Sequence, residues 1–165
     1  MSITNPALVR LAQSAYRIRR FALRMGEVQG QGYIGQALDI ADVLAVAYFD
    51  ALAYRADDPH WEGRDRFLLS KGHACVAVYA ALAERGFFPV EELQTYGRDF
   101  ARLMNHISHQ VPGVEFSTGS LGHALPFAHG LAYAFAQALR VPAADPATSS
   151  SQRPCFAEGG WWSWP

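Results

Sequence analysis

The sequence predicts a mostly helical chain in which a short strand feeds a helix, and three observations carry that expectation. Apolar residues recur at helical spacing over residues 6–25, where Leu8, Leu11, Ala15, Ile18, Ala22 and Met25 share one face. The run DRFLLSKGHACVAVYAALAERGFFP (65–89) reads as a buried strand entering a helix directly. Three glycine-rich loops, GQGYIGQ (30–36), SKGH (70–73) and STGSLGH (117–123), each stand before a helical stretch. Such loops let backbone approach a ligand closely.

In chain order, Asn5 is a cap for the first helix, Pro6 suits its first turn and Gly26 is a stop. Arg17, Arg19, Arg20 and Arg24 are expected on its solvated face. GEVQGQGYIGQ (26–36), with glycines at 26, 30, 32 and 35, reads as a loop. A second helix, apolar nearly all round and hence buried, is expected over 37–54. RADDPHWEGRD (55–65) is a polar turn region, and RFLLS (66–70) is the strand. A small-residue helix follows over 73–85, stopped at Gly86 with Pro89 beyond. PVEELQTYG (89–97) is a weak helix before a long loop, and a last helix of small and aromatic residues reaches about Arg140. Tyr48, Phe49, Phe127, Tyr133 and Phe135 are read as core or as subunit interface.

After residue 140 the composition changes. Residues 141–165 hold four of the nine prolines and three of the four tryptophans and have no apolar periodicity. They read as a disordered tail or as frameshifted sequence, so the domain is assigned to 1–140. The 165 residues suit one domain with a real core, half of them hydrophobic and 18% charged. A formal charge of −1 with no basic stripe argues against a nucleic-acid surface. Cys75 and Cys155 lie far apart and outside any CxxC, which fits a reducing compartment. No secretory leader or membrane span is read, so the expected setting is a soluble, cytoplasmic one.

The chemistry concentrates on the glycine loops. Lys71-Gly72-His73 places a cation and an imidazole at the start of a helix, where unpaired backbone N–H groups accept anions. His106, His109 and His123 are a conceivable metal set, but they lack HxxxH or HExxH spacing and have only Glu115 as a nearby carboxylate. Histidines on glycine loops suit proton transfer and hydrogen bonding to hydroxyls better. His60, beside Trp61 in a polar turn, reads as a surface residue, and Asp57-Asp58 as solvated charge. From the residues alone, the reading ends at a helical chain with an anion-accepting, histidine-rich pocket.

Two quoted stretches go further. DRFLLSKGHACVAVYAALAERGFF, followed by PGVEFSTGSLGHALPFAHGLAYA, resembles the N-terminal, thiamine-diphosphate-binding half of transketolases, above all the separate N-terminal subunits of split transketolases. The likeness runs from about Ala7 to Arg140. It implies an α/β thiamine-diphosphate-binding fold of which this is the N-terminal part, helix-rich with an incomplete parallel sheet. It implies that His73 contacts thiamine diphosphate, that Gly119, Ser120 and Leu121 meet the cofactor's aminopyrimidine end, and that His123 faces it too. His106, the histidine ahead of PGVE, is implied in the substrate channel, with His109 a weaker match. The implied activity moves a two-carbon ketol unit from a ketose to an aldose, with Mg2+ as a second cofactor. The substrate would be a sugar or sugar phosphate. The partner would be a C-terminal transketolase subunit in a homo- or hetero-oligomer.

Two departures from the family pattern accompany the likeness. Aligning ADVL (41–44) with the usual ADIL puts Tyr33 where a reaction-centre histidine is usual, which implies altered substrate handling. No GDG occurs anywhere, so the usual magnesium ligands have no counterpart and no metal-ligand residue is assigned. Two other readings therefore stand beside the first: a non-catalytic remnant serving as a dimerisation scaffold, and another thiamine-diphosphate enzyme such as a dehydrogenase E1 subunit or a deoxyxylulose phosphate synthase. The loop motifs fit the last of these less well.

Overall fold

The computed structural model describes residues 5–30 and 32–140, which divide into two units, 1–125 and 126–165. Residues 141–165, and with them the expected tail, lie outside the described residues.

Helix α1 spans Pro6–Gln29. The Asn5 side chain accepts from the Ala7 N–H at 3.0 Å, and Pro6 occupies the first turn, where a missing N–H is harmless. The expected stop at Gly26 is corrected: the helix runs one turn further and ends at Gly30, in the left-handed conformation at φ 61°. A glycine inside a helix is only a weak breaker, about 1 kcal/mol against alanine, whereas the left-handed cap positively favours it. Ala15, Ile18, Ala22 and Met25 are buried, as their spacing predicts, while Leu8 remains exposed.

The expected second helix is interrupted. It begins earlier, as α2 (Ile34–Asp39), breaks at Ile40, resumes as α3 (Ala41–Val46) and widens into a π-helical turn, Ala47–Ala51. The break leaves Ala37, Ala41, Leu44, Ala45 and Tyr48 buried but Val43 and Val46 in solvent, so burial is one-sided rather than all round. The arginines of α1 are not uniformly solvated either. Arg17 pairs with Glu84, and Arg19 bonds both Asp42 and the Leu38 carbonyl.

A 3-10 turn, Gly72–Ala74, leads into α4 (Cys75–Glu84). Every residue from Cys75 to Ala83 is buried. A helix apolar on all sides belongs in the middle of its neighbours, and α4 packs on α1, α2, α3 and a second 3-10 turn, Val90–Thr95. Its alanines keep those neighbours close. Gly86, at φ 83°, ends it as expected.

The strand expected at 66–70 is corrected, because no strand occurs among the described residues. A strand is defined by the ladder it shares with a partner, and among the described residues no backbone ladder joins this run to another segment. The run is held by isolated hydrogen bonds instead: just before it the Ala53 N–H donates to the Asp65 carboxylate at 2.8 Å and the Asp65 N–H to the Ala53 carbonyl at 2.7 Å, and within it the Leu69 carbonyl accepts from the Thr118 hydroxyl at 2.9 Å. The expected helix-rich character holds; an incomplete parallel sheet is not seen among these residues. Helix α5 (Ala124–Arg140) starts at the end of the first unit and supplies the described part of the second.

Candidate functional site

Gly72 decides how the second and third glycine loops meet. A Cβ there would lie 2.6 Å from the Thr118 carbonyl oxygen, 2.8 Å from Thr118 Oγ1 and 3.3 Å from the His106 ring. Only glycine admits that approach. Buried Thr118 locks the contact by donating its hydroxyl to the Leu69 carbonyl at 2.9 Å. SKGH and STGS are thus seated against each other with His106 beside them.

Three ring side chains gather at this junction. The Tyr33 and His73 ring centroids are 4.4 Å apart, edge to face, and those of His73 and His106 are 4.8 Å apart. Tyr33 and His106 stand at 6.2 Å. Each comes from a different loop. Tyr33 caps α2, its carbonyl accepting from the Ala37 N–H at 3.2 Å. Gly32 ahead of it has φ 122°, and a Cβ there would press on the Tyr96 hydroxyl at 3.1 Å. His73 lies in the 3-10 turn before α4, and His106 in the irregular run after Tyr96. His73 Nδ1 is buried yet has no hydrogen-bond partner among the described residues. A buried polar atom left unmatched is costly unless a ligand or water satisfies it.

The run 104–106 is tied down from behind. The Cys75 thiol donates to the Met104 and Asn105 carbonyls at 3.4 and 3.3 Å, and the Tyr79 hydroxyl donates to the His106 carbonyl at 3.0 Å. Tyr96 donates to Asn105 Oδ1 at 2.7 Å. Burial pushes the Cys75 thiol up to about 12 and raises both tyrosine hydroxyls well above their ordinary range. All three are neutral donors near pH 7. None of these supporting residues stands out in the sequence, because their partners are 9 to 30 positions away and mostly backbone.

The other expected site residues stand apart from the ring cluster. Gly119, Ser120, Leu121 and His123 are exposed in the turn that opens α5, with the His123 N–H reaching the Ser120 carbonyl at 3.4 Å. His109 bonds Ser117 Oγ through Nδ1 at 2.7 Å. No set of three or more histidine, cysteine or acidic side chains able to hold a metal ion occurs among the described residues.

Comparison with known proteins settles the family. The family model for the thiamine diphosphate binding domain of transketolase matches residues 11–152. The chain belongs to the transketolase family. An uncharacterized transketolase family protein, y4mO, of Sinorhizobium fredii is 61% identical over 127 residues, 76% of this chain and 46% of that protein. A protein of a Clostridium species named as the 6-deoxy-6-sulfo-D-fructose transketolase subunit SqwG is 40% identical over 75% of this chain and 46% of its own length. Among solved structures, the transketolase of Leishmania mexicana superposes with a TM-score of 0.71 at 33% identity, covering 75% of this chain and 19% of that one. This transketolase-family chain therefore spans about half the length of the curated relatives it matches most fully. It corresponds to their N-terminal, cofactor-binding part.

Proposed function

We propose that this chain is the N-terminal, thiamine-diphosphate-binding component of a two-part cytoplasmic transketolase, completed by a C-terminal subunit. The observation that carries the reading is the Tyr33–His73–His106 cluster around a buried His73 Nδ1 that has no hydrogen-bond partner among the described residues. Two relatives named as subunits, SqwG and an apulose-4-phosphate transketolase subunit of Phocaeicola vulgatus, support a split arrangement. A sugar-phosphate substrate is supported by the solved complex of the Pichia stipitis transketolase with a sugar phosphate, which matches at TM-score 0.70 and 29% identity.

The residues fit the cofactor. An orphaned imidazole nitrogen and a cradle in which Gly72 has no room for a Cβ are what a tightly held ligand requires. His73 would hold it from the SKGH loop, and Gly119, Ser120, Leu121 and His123 from the turn before α5. Lys71, exposed beside His73, would add positive charge toward a diphosphate. Thiamine diphosphate supplies the electron sink for breaking and making the ketose carbon–carbon bond. His106 would take and return a proton at a substrate hydroxyl. Tyr33 would donate a hydrogen bond to the sugar and wall the pocket. Its phenol would orient the sugar through hydrogen bonding. In this reading the magnesium ligands come from outside the described residues.

The test is reconstitution with the C-terminal subunit of a split transketolase, thiamine diphosphate and Mg2+. Ketose consumption that requires an added aldose is expected. His106→Ala should lower kcat about 100-fold or more. Ketose consumption that is equally fast without any aldose would contradict ketol transfer.

A further inference from the structure

We infer that Cys75, Tyr79 and Tyr96 form a clamp whose task is to position His106 against His73. The inference rests on the site reading above but concerns a different property, the fixing of one imidazole by another element. Residues 104–106 belong to no helix, and irregular backbone so close to a reacting group ordinarily drifts. Here three consecutive residues are each held. Cys75 takes the carbonyls of Met104 and Asn105, Tyr79 takes the carbonyl of His106, and Tyr96 takes the Asn105 side chain. All three holders are fully buried. Two of them, Cys75 and Tyr79, lie one turn apart on the face of α4. The 3-10 turn carrying His73 runs directly into that same helix.

The consequence is geometric. Both imidazoles are referred to one rigid element, His73 by covalent continuity and His106 through hydrogen bonds. Their 4.8 Å separation is therefore a property of α4 rather than of loop conformation. Such support matters because a misplacement of about 1 Å can lower a rate 100-fold. A purely structural account of the same hydrogen bonds predicts lost stability with the ring pair unmoved. The clamp predicts that the ring pair moves.

The test uses the full chain, without cofactor or partner, and reads the nuclear Overhauser signal between the His73 and His106 ring protons. Tyr79→Phe keeps the ring and its packing and removes only the donor. The His73–His106 signal should fall about threefold or more, as a shift of about 1 Å at such short range would produce. The Tyr33–His73 signal and the distant Tyr48–Tyr54 contact, at 5.8 Å, should stay as they are. Cys75→Ala should weaken the same signal, and Cys75→Ser, which restores a donor, should recover it. An unchanged His73–His106 signal in folded Tyr79→Phe and Cys75→Ala chains would overturn the inference. That outcome would leave the ketol-transfer reading standing, since reconstituted activity is measured separately.

Discussion

The two halves of the candidate site are built in opposite ways. The ring cluster of Tyr33, His73 and His106 is backed by buried donors and closed by Gly72 against Thr118. The turn 119–123 is exposed throughout, and around Gly119 a Cβ would meet nothing within 4 Å. Both are glycine loops in front of helices and look alike as sequence. The difference teaches that one is preorganised by the chain itself, whereas the other has room to receive something from outside. A subunit that shares its active site with a partner would be expected to divide in this way.

The sharpest way to break the comparison is to place the same methyl group in each half. Gly72→Ala should be the most damaging change, by about 3 kcal/mol or more, because backbone and hydroxyl oxygens already occupy the space a Cβ needs. Gly119→Ala should alter stability by less than about 0.5 kcal/mol. Denaturant midpoints of the two variants check this, and equal losses would erase the distinction. Next in size is the partly buried Arg64–Glu115 pair, two parallel hydrogen bonds of 2.7 and 2.9 Å, which ties the turn region to the run before Thr118. Glu115→Ala leaves the guanidinium without that partner and should lower stability by about 2 kcal/mol in the same assay.

Alkaline pH sharpens the contrast from another side. The Cys75 thiol is raised by burial from 9.0 to about 12, so the folded chain holds its proton while the unfolded chain releases it. Its contribution is complete below pH 9 and declines as pH climbs toward 12. Thermal unfolding followed across that window should show falling stability, and Cys75→Ala should flatten the part of the slope that it causes. Phe100 gives an effect of opposite sign. Its backbone sits at φ 63° and its side chain is wholly exposed, in a turn where the Ala101 N–H bonds the Arg98 carbonyl at 3.1 Å. Phe100→Gly removes the left-handed penalty and no packing, so stability should rise by about 1 kcal/mol. A drop in Tm would show that the ring has a contact the structure does not account for.

The legibility of the sequence follows the same division. Periodicity and capping place α1, the SKGH loop brings His73 forward, and the resemblance to transketolases adds Tyr33 and His106, which the fold then gathers with it. Local signals suffice for α1 and for His73, since a cap or a glycine turn is written in adjacent residues. The break at Ile40 and the π-helical turn were not legible, because they follow from how α3 packs on α1 and α4. RFLLS has strand composition without a strand, since pairing is decided by a distant segment rather than by the run itself. The clamp was hidden for the reason that makes it effective: Cys75 and Tyr79 look like ordinary core residues, and their partners are carbonyls about 30 positions on.

The most direct measurement is a calorimetric titration of the full chain with thiamine diphosphate and Mg2+, beside His73→Ala. The account predicts binding to the parent chain and its loss in His73→Ala. Equal binding by the parent and His73→Ala chains would contradict the assignment of His73, and with it the claim that the preorganised half of the site takes part in holding the cofactor.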